Sequence, residues 1–271
     1  MKLMLALFAV ANAASLTPAL KLRGGSISIA GIEPEQIAMG LTVLQGLQGV
    51  MSTTNVDQVF EMYEIPKSGD TPTARFICEQ SGAIMLGSAI AAYLVLGGGD
   101  AAEAVGYANI PGLLLNLKNL NDGVTDKLGW GDQAKYGPLV VSGVLTAALL
   151  GKVDALGPAD ALKYSAYWML ANAAGMYLAP DKAMEAWGAS IKGDTETNML
   201  KLFAQFAGTF GLFALKLSDG ASALEAIGYA WALGTACIVD GVYVSKYSVG
   251  NPDKATPWIA MGAVGAYALL A

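Results

Sequence analysis

FICEQSGAIMLGSAIAAYLVL, residues Phe76 to Leu96, carries a single charge, Glu79, in an otherwise apolar run rich in Ala, Leu, Ile and Gly. Apolar side chains do not alternate with polar ones, so the stretch reads as a helix and not a half-buried strand. It is long enough to cross the hydrocarbon core of a bilayer, which takes about 20 residues, and it offers water no wide polar face. A second stretch, Leu202 to Leu217, repeats the pattern with Lys216 as its only charge. The whole chain agrees: 54% of its residues are hydrophobic and 14% charged, where soluble domains approach a quarter charged. The mean hydropathy is +0.47. Lipid is therefore the expected solvent.

Around these two stretches the sequence repeats with a period of about 120 residues, as sequence separations of the matched segments indicate. Gly69-Asp70-Thr71-Pro72-Thr73 returns as Gly193-Asp194-Thr195-Glu196-Thr197, and Asp57, Glu61 and Tyr63 fall opposite Asp181, Glu185 and Trp187. Downstream, the run from Glu103 to Ala108 matches the run from Glu225 to Ala230, and Gly131, Pro138 and Gly143 match Gly250, Pro257 and Gly262. Matches in one order across a unit point to tandem duplication.

Each unit holds four apolar stretches. In the first they run from Glu35 to Ser52, Thr73 to Leu96, Ala101 to Asn121 and Gly137 to Leu150; in the second, from Pro158 to Leu178, Thr195 to Leu217, Ala221 to Tyr247 and Thr256 to Ala271. The expected fold is all-α: a polytopic helical membrane protein of two tandem parallel repeats, 33–151 and 152–271, of about four helices each. The fourth stretches are short for a span. The repeated Gly-Asp-Thr-x-Thr precedes the second helix of each unit, where Asp and Thr side chains serve as N-caps. Gly97-Gly98-Gly99 reads as a turn with Asp100 capping the next helix.

An even number of helices per unit makes the two units parallel, with both termini on one side. Lys67, Arg75, Lys118, Lys127, Lys135, Lys182, Lys192, Lys201, Lys246 and Lys254 fall on the opposite side, against Lys21, Arg23, Lys152, Lys163 and Lys216 on the terminal side. By the positive-inside rule the first group faces the compartment of synthesis.

The first 13 residues read as a signal peptide: Lys2 is the basic segment, Leu3 to Val10 the apolar one, and Ala11 and Ala13 the small residues before cleavage. Residues 14–32 form a transit-like or linker segment, hydroxylated and basic from Ser15 to Ile32 with no acidic residue. Together with Lys21-Leu22-Arg23-Gly24-Gly25, this leader resembles the bipartite presequences of algae with secondary plastids. That resemblance implies a plastid membrane reached by the secretory route, while the signal peptide alone implies the endomembrane system. The body, four helices per repeat with a Gly-bearing second helix after an acidic, aromatic linker, distantly resembles the DoxX-like family of small membrane proteins. The likeness is one of layout and brings no catalytic motif.

The chain contains no histidine, which removes the commonest general base, the histidine triads and the usual zinc and haem ligands. Cys78 and Cys237 lie in apolar runs without ligand spacing and read as buried thiols. No cofactor or metal site and no catalytic residue is expected. Basic residues are scattered and the net charge is -6, which excludes nucleic acid as a partner. The light-harvesting pattern Glu-x-x-His/Asn-x-Arg fails at Glu79, which Gly82 follows three residues later.

Polar residues at membrane depth are the remaining candidates, because such groups are costly in lipid: Glu79, Asn116, Lys118, Asn119, Gln205 and Asp240. Arg75, four residues before Glu79, can neutralise it, and Lys118 and Asp240, matched across the repeats, can form an ion pair between facing third helices. Asn116, Asn119 and Gln205 can join helices by hydrogen bonds or line a polar path. Two functions follow. The first is a non-catalytic accessory or scaffold subunit of a membrane complex, its partners the bilayer and other subunits. The alternative is a carrier or binder of a small or apolar solute between the two repeats.

Overall fold

The computed structural model describes residues 21–23, 26–28, 31–247 and 249–270. Residues 1–20, which hold the expected signal peptide, lie outside the described residues, as do Gly24 and Gly25 of the leader. A short antiparallel ribbon pairs β1 (Lys21–Arg23) with β2 (Ser26–Ser28). From residue 34 onward the described chain is helical.

The helices are α1 (Pro34–Thr54), α2 (Val56–Met62), α3 (Pro72–Leu96), α4 (Ala101–Ala108), α5 (Ile110–Asn121), α6 (Val124–Lys127) and α7 (Asp132–Leu149). They continue as α8 (Pro158–Leu178), α9 (Pro180–Ala186), α10 (Gly193–Ser218), α11 (Ala223–Val239) and α12 (Thr256–Leu270). Three segments are long and apolar enough to cross a membrane by length and composition: α3, α10, and α11 with its π-helical extension to Val244. In α3 and α10, 56% and 44% of the most apolar window is buried inside the protein; in the α11 segment only 17% is. The first two are central, and the third turns an apolar flank outward.

The third apolar stretches are not continuous α-helices. In the first half the helix is interrupted at Asn109, between α4 and α5, where Pro111 lacks the N–H that an unbroken ladder would use. In the second half α11 passes at Asp240 into a π-helical turn, Asp240–Val244. Short helices α2 and α9 and the 3-10 turns at Lys67–Gly69 and Pro252–Ala255 fill what the sequence suggests are loops.

Packing follows from glycine. α1 lies along α3, and α8 along α10, as two extensive hairpin contacts. A Cβ on Gly49 would stand 2.6 Å from the Leu86 backbone N, and one on Gly82 would stand 2.8 Å from the Gly49 carbonyl oxygen, so backbones touch where these residues cross. α3 packs on α10 at the centre. Gly106 of α4 faces Leu149 and Leu150, and Gly228 of α11 faces Leu269 and Leu270.

Both helix-pair loops end in the same left-handed turn. Glu64, at φ 55°, and Gly188, at φ 68°, occupy matched positions. Each donates its N–H three residues back, to the carbonyls of Glu61 and Glu185, at 3.1 and 2.9 Å. The loop of the other half docks on each: Gly131 N–H donates to the Gly188 carbonyl at 2.7 Å, and Asn251 N–H to the Tyr63 carbonyl at 2.8 Å. The two Gly-Asp-Thr-x-Thr segments also meet, since a Cβ on Gly69 would strike Thr195 Oγ1 at 2.6 Å.

Their capping differs. Thr71 Oγ1 accepts from Ala74 N–H at 3.1 Å, as expected. α10 instead begins inside its segment, at Gly193, without a side-chain cap. There the carboxylate of Glu196 accepts from Lys192 N–H at 2.6 Å and from Thr71 Oγ1 at 2.7 Å. Asp100 accepts from Glu103 N–H at 2.9 Å and starts α4 after the Gly98 turn.

We call upper the end formed by the connections 97–100, 150–157 and 219–222, and lower the end formed by 55–71, 122–131, 179–192 and 245–255. Exposed Tyr93, Tyr107, Tyr164, Tyr229 and Tyr267 all sit within two turns of the upper helix ends.

Candidate functional site: two cavities beside the central helix pair

The α3–α10 pair separates two cavities. The first, about 200 Å³, is walled by α1, α3, α10, α11 and the segment from Tyr247 to Trp258. The second, about 250 Å³, is walled by α3, α5, α7, α8 and α10 and reached from below by Trp130, Met184 and Trp187. Each takes helices from both halves of the chain. All five tryptophans line them: Trp231 and Trp258 the first, Trp130, Trp168 and Trp187 the second. The walls are largely apolar, the usual character of small-molecule sites, with a few polar groups to fix orientation.

In the first cavity Gln205, on α10, is buried. Its Nε2 donates to the Cys237 carbonyl at 3.2 Å and to Tyr247 Oη. Tyr247 donates to Tyr177 Oη at 2.7 Å, and Tyr177 to Asp240 Oδ2 at 2.5 Å. Ser245 Oγ donates to Asp240 Oδ1 at 2.9 Å. Asp240 is thus satisfied by hydroxyl groups at the start of the π turn. Burial pushes the Tyr247 phenol above its ordinary value. On the opposite wall Tyr63 Oη accepts from Trp258 Nε1 at 3.0 Å, and burial pushes its phenol up to about 12. Both phenols stay neutral at physiological pH.

The second cavity holds buried polar atoms without partners. Asn119 is 2% exposed and neither Nδ2 nor Oδ1 has a hydrogen-bond partner among the described residues. The hydroxyl groups of Thr125 and Ser165, 5% and 0% exposed, are unpaired in the same sense. All three residues line the cavity. Buried polar side chains are ordinarily satisfied, and leaving one orphaned costs about 1–3 kcal/mol. Nearby, Gln80 Nε2 donates to Asn116 Oδ1 at 3.1 Å, tying α3 to α5. Lys135, at the rim, is held by both oxygens of Asp126 at 2.8 Å.

The six residues expected from sequence therefore separate. Asn116 and Asn119 line the second cavity and Gln205 the first; Asp240 lies behind Tyr247 through Tyr177. Glu79 and Lys118 line neither. Two expected pairings are corrected. Arg75 turns from Glu79 to Asp57, at 2.7 Å, and Asp70, at 2.5 Å, because the loop before α3 brings those carboxylates to its guanidinium. Lys118 is exposed and pairs with Asp122, one turn on, at 3.4 Å, so it makes no ion pair with Asp240. Sequence reasoning missed Gln80, Thr125 and Ser165, and the tyrosines 63, 177 and 247. Gln80 was within reach, as an amide two turns into an apolar run.

No family model, curated protein or solved structure matches the chain.

Proposed function

We propose that the chain is a polytopic membrane protein of two duplicated units that binds a small apolar or amphipathic solute in the cavities between them. The observation that carries this reading is the pair of largely apolar cavities flanking α3 and α10, each built from both halves and lined by tryptophan. Duplication is supported by matched positions that make matched contacts: Gly106 and Gly228 against their paired leucines, Glu64 and Gly188 in left-handed turns. Membrane embedding is supported by the outward apolar flank of α11 and by exposed tyrosines near both ends, Tyr107, Tyr229 and Tyr267 at the upper and Tyr136 and Tyr243 at the lower, as in interfacial aromatic belts. The excess of basic residues at the lower end supports its facing the side of synthesis. The leader supports delivery by the secretory route, with a secondary-plastid membrane as the destination its resemblance implies. The distant DoxX-like layout adds no activity to this reading.

The scaffold alternative draws on the same α11 flank, where Tyr229, Tyr243 and Val244 are exposed; in lipid, acyl chains cover that surface and no partner is needed. One experiment tests the proposal. The protein is retained in membranes through alkaline carbonate washing, then placed in bilayer discs with an alkane brominated at mid-chain. Solute binding predicts tryptophan quenching that saturates at low probe-to-lipid ratio. Release by carbonate, or quenching that rises only in proportion to probe in the bilayer, contradicts the proposal.

A further inference from the structure

We infer that the second cavity is built for a molecule with one apolar chain and an uncharged head group that both donates and accepts hydrogen bonds, seated at Asn119 and Thr125. The inference rests on the solute-binding reading above and names the ligand class for one of its two cavities.

Asn119 presents an amide donor and an amide acceptor, both buried and both without partners among the described residues. Thr125 adds a hydroxyl that can give or take. The two residues belong to α5 and to the short α6 that follows it, at the lower end of the same cavity. The surrounding walls are largely apolar, with Ile77, Ile84, Met169, Phe203 and Phe210, and the amides of Gln80 and Asn116 among them are already paired with each other. Ser165, at the start of the third turn of α8, is a single hydroxyl toward the opposite end.

Charge on the ligand is disfavoured. Among the described lining residues only Lys135 is ionised at neutral pH, and both oxygens of Asp126 already hold its ammonium. A carboxylate seated at Asn119 and Thr125 would find the amide NH2 and a hydroxyl, but the lining cation, Lys135, is already neutralised by Asp126 and leaves its desolvation without an offset. An ammonium would find no carboxylate. A neutral alcohol or primary amide satisfies Asn119 and Thr125 in both directions, while a plain alkane leaves them orphaned. The cavity is also below the ~300–1,000 Å³ of drug-type sites, which suits a slender chain.

The test uses the intact protein in bilayer discs and saturable quenching of its tryptophans. The probes are a fatty alcohol, the matching acid, amine and alkane, each brominated at mid-chain and each corrected for its own partition into lipid. The alcohol is expected to half-saturate at a roughly tenfold lower membrane fraction than the others, the size expected when otherwise orphaned buried groups find partners. The double variant N119L/T125V should bring alcohol and alkane within about twofold of each other. Its fold is checked by thermal unfolding, and the wild-type probe series stands without it.

Equal binding of alcohol and alkane, or preference for the acid or amine, overturns the head-group assignment while the solute-binding reading stands. An alcohol preference that survives intact in a folded double variant overturns it as well. No saturable quenching by any probe removes both.

Discussion

Glu64 shows how a single residue fastens the two halves together. Its carboxylate takes Lys254 Nζ at 2.9 Å and Asn251 Nδ2 at 2.8 Å, and its backbone adopts the left-handed turn that Gly188 adopts in the other half. The hydrogen bond from Lys254, then that from Asn251, hold the carboxyl below the ordinary carboxylate range. A depressed folded-state value contributes stability above the unfolded value of about 4.3 and loses it as pH falls through the folded value. Glu64→Gln should therefore be less stable than wild type at neutral pH, with the gap closing as acid is added. Thermal unfolding across pH 7 to 3 in detergent measures it. A gap independent of pH would mean that the charge is irrelevant. Little of this was readable beforehand, because the partners lie nearly two hundred residues apart in the chain. Thr71 was readable as a cap from its place before Pro72, yet its bond to Glu196 was not, since only the folded chain brings the repeated segments together.

Helices were the most legible features, because their apolar runs are long and end at Gly, Pro, Asp and Thr signals. Pro158–Leu178 agrees with expectation at both ends, and the other long helices differ by a few residues. The breaks were less legible. Asn109 and Pro111 mark the first, but nothing in the run from Val239 to Val244 marks the π turn that Asp240 opens. Glycine pairing was legible only in part. Gly143 and Gly262 match in sequence, yet a Cβ on Gly143 meets nothing within 4 Å, while Gly262 is pressed against Thr235. Such differences give a mutational contrast. Gly82→Ala places its methyl 2.7 Å from Ser52 Cβ and 2.8 Å from the Gly49 carbonyl, an overpacking expected to cost about 1–3 kcal/mol. Gly143→Ala, in open space inside α7, should gain about 0.5–1 kcal/mol from restricted backbone freedom. Melting temperatures of the two variants check both signs. A tolerated Gly82→Ala would mean that α1 and α3 stand further apart.

At the scale of the whole molecule, the halves lean on each other through loops docked in both directions and through α3 against α10, and cavities remain on either side. Composition and periodicity announced the helices and the matched segments. They did not announce the cavities, whose walls are assembled from helices of both halves and so depend on how the folded halves pack. Asn116, Asn119 and Gln205 were singled out for polarity alone, and the fold decides that they face open volume while Lys118 faces out. Solute binding in these cavities predicts a chain that is purified with solute still inside. Native mass spectrometry of the chain purified in mild detergent tests this most directly. One or two small apolar or amphipathic molecules should be retained per chain, with one lost when Ala207→Phe fills the second cavity; a bare polypeptide mass from wild type, with the fold intact, would contradict solute binding.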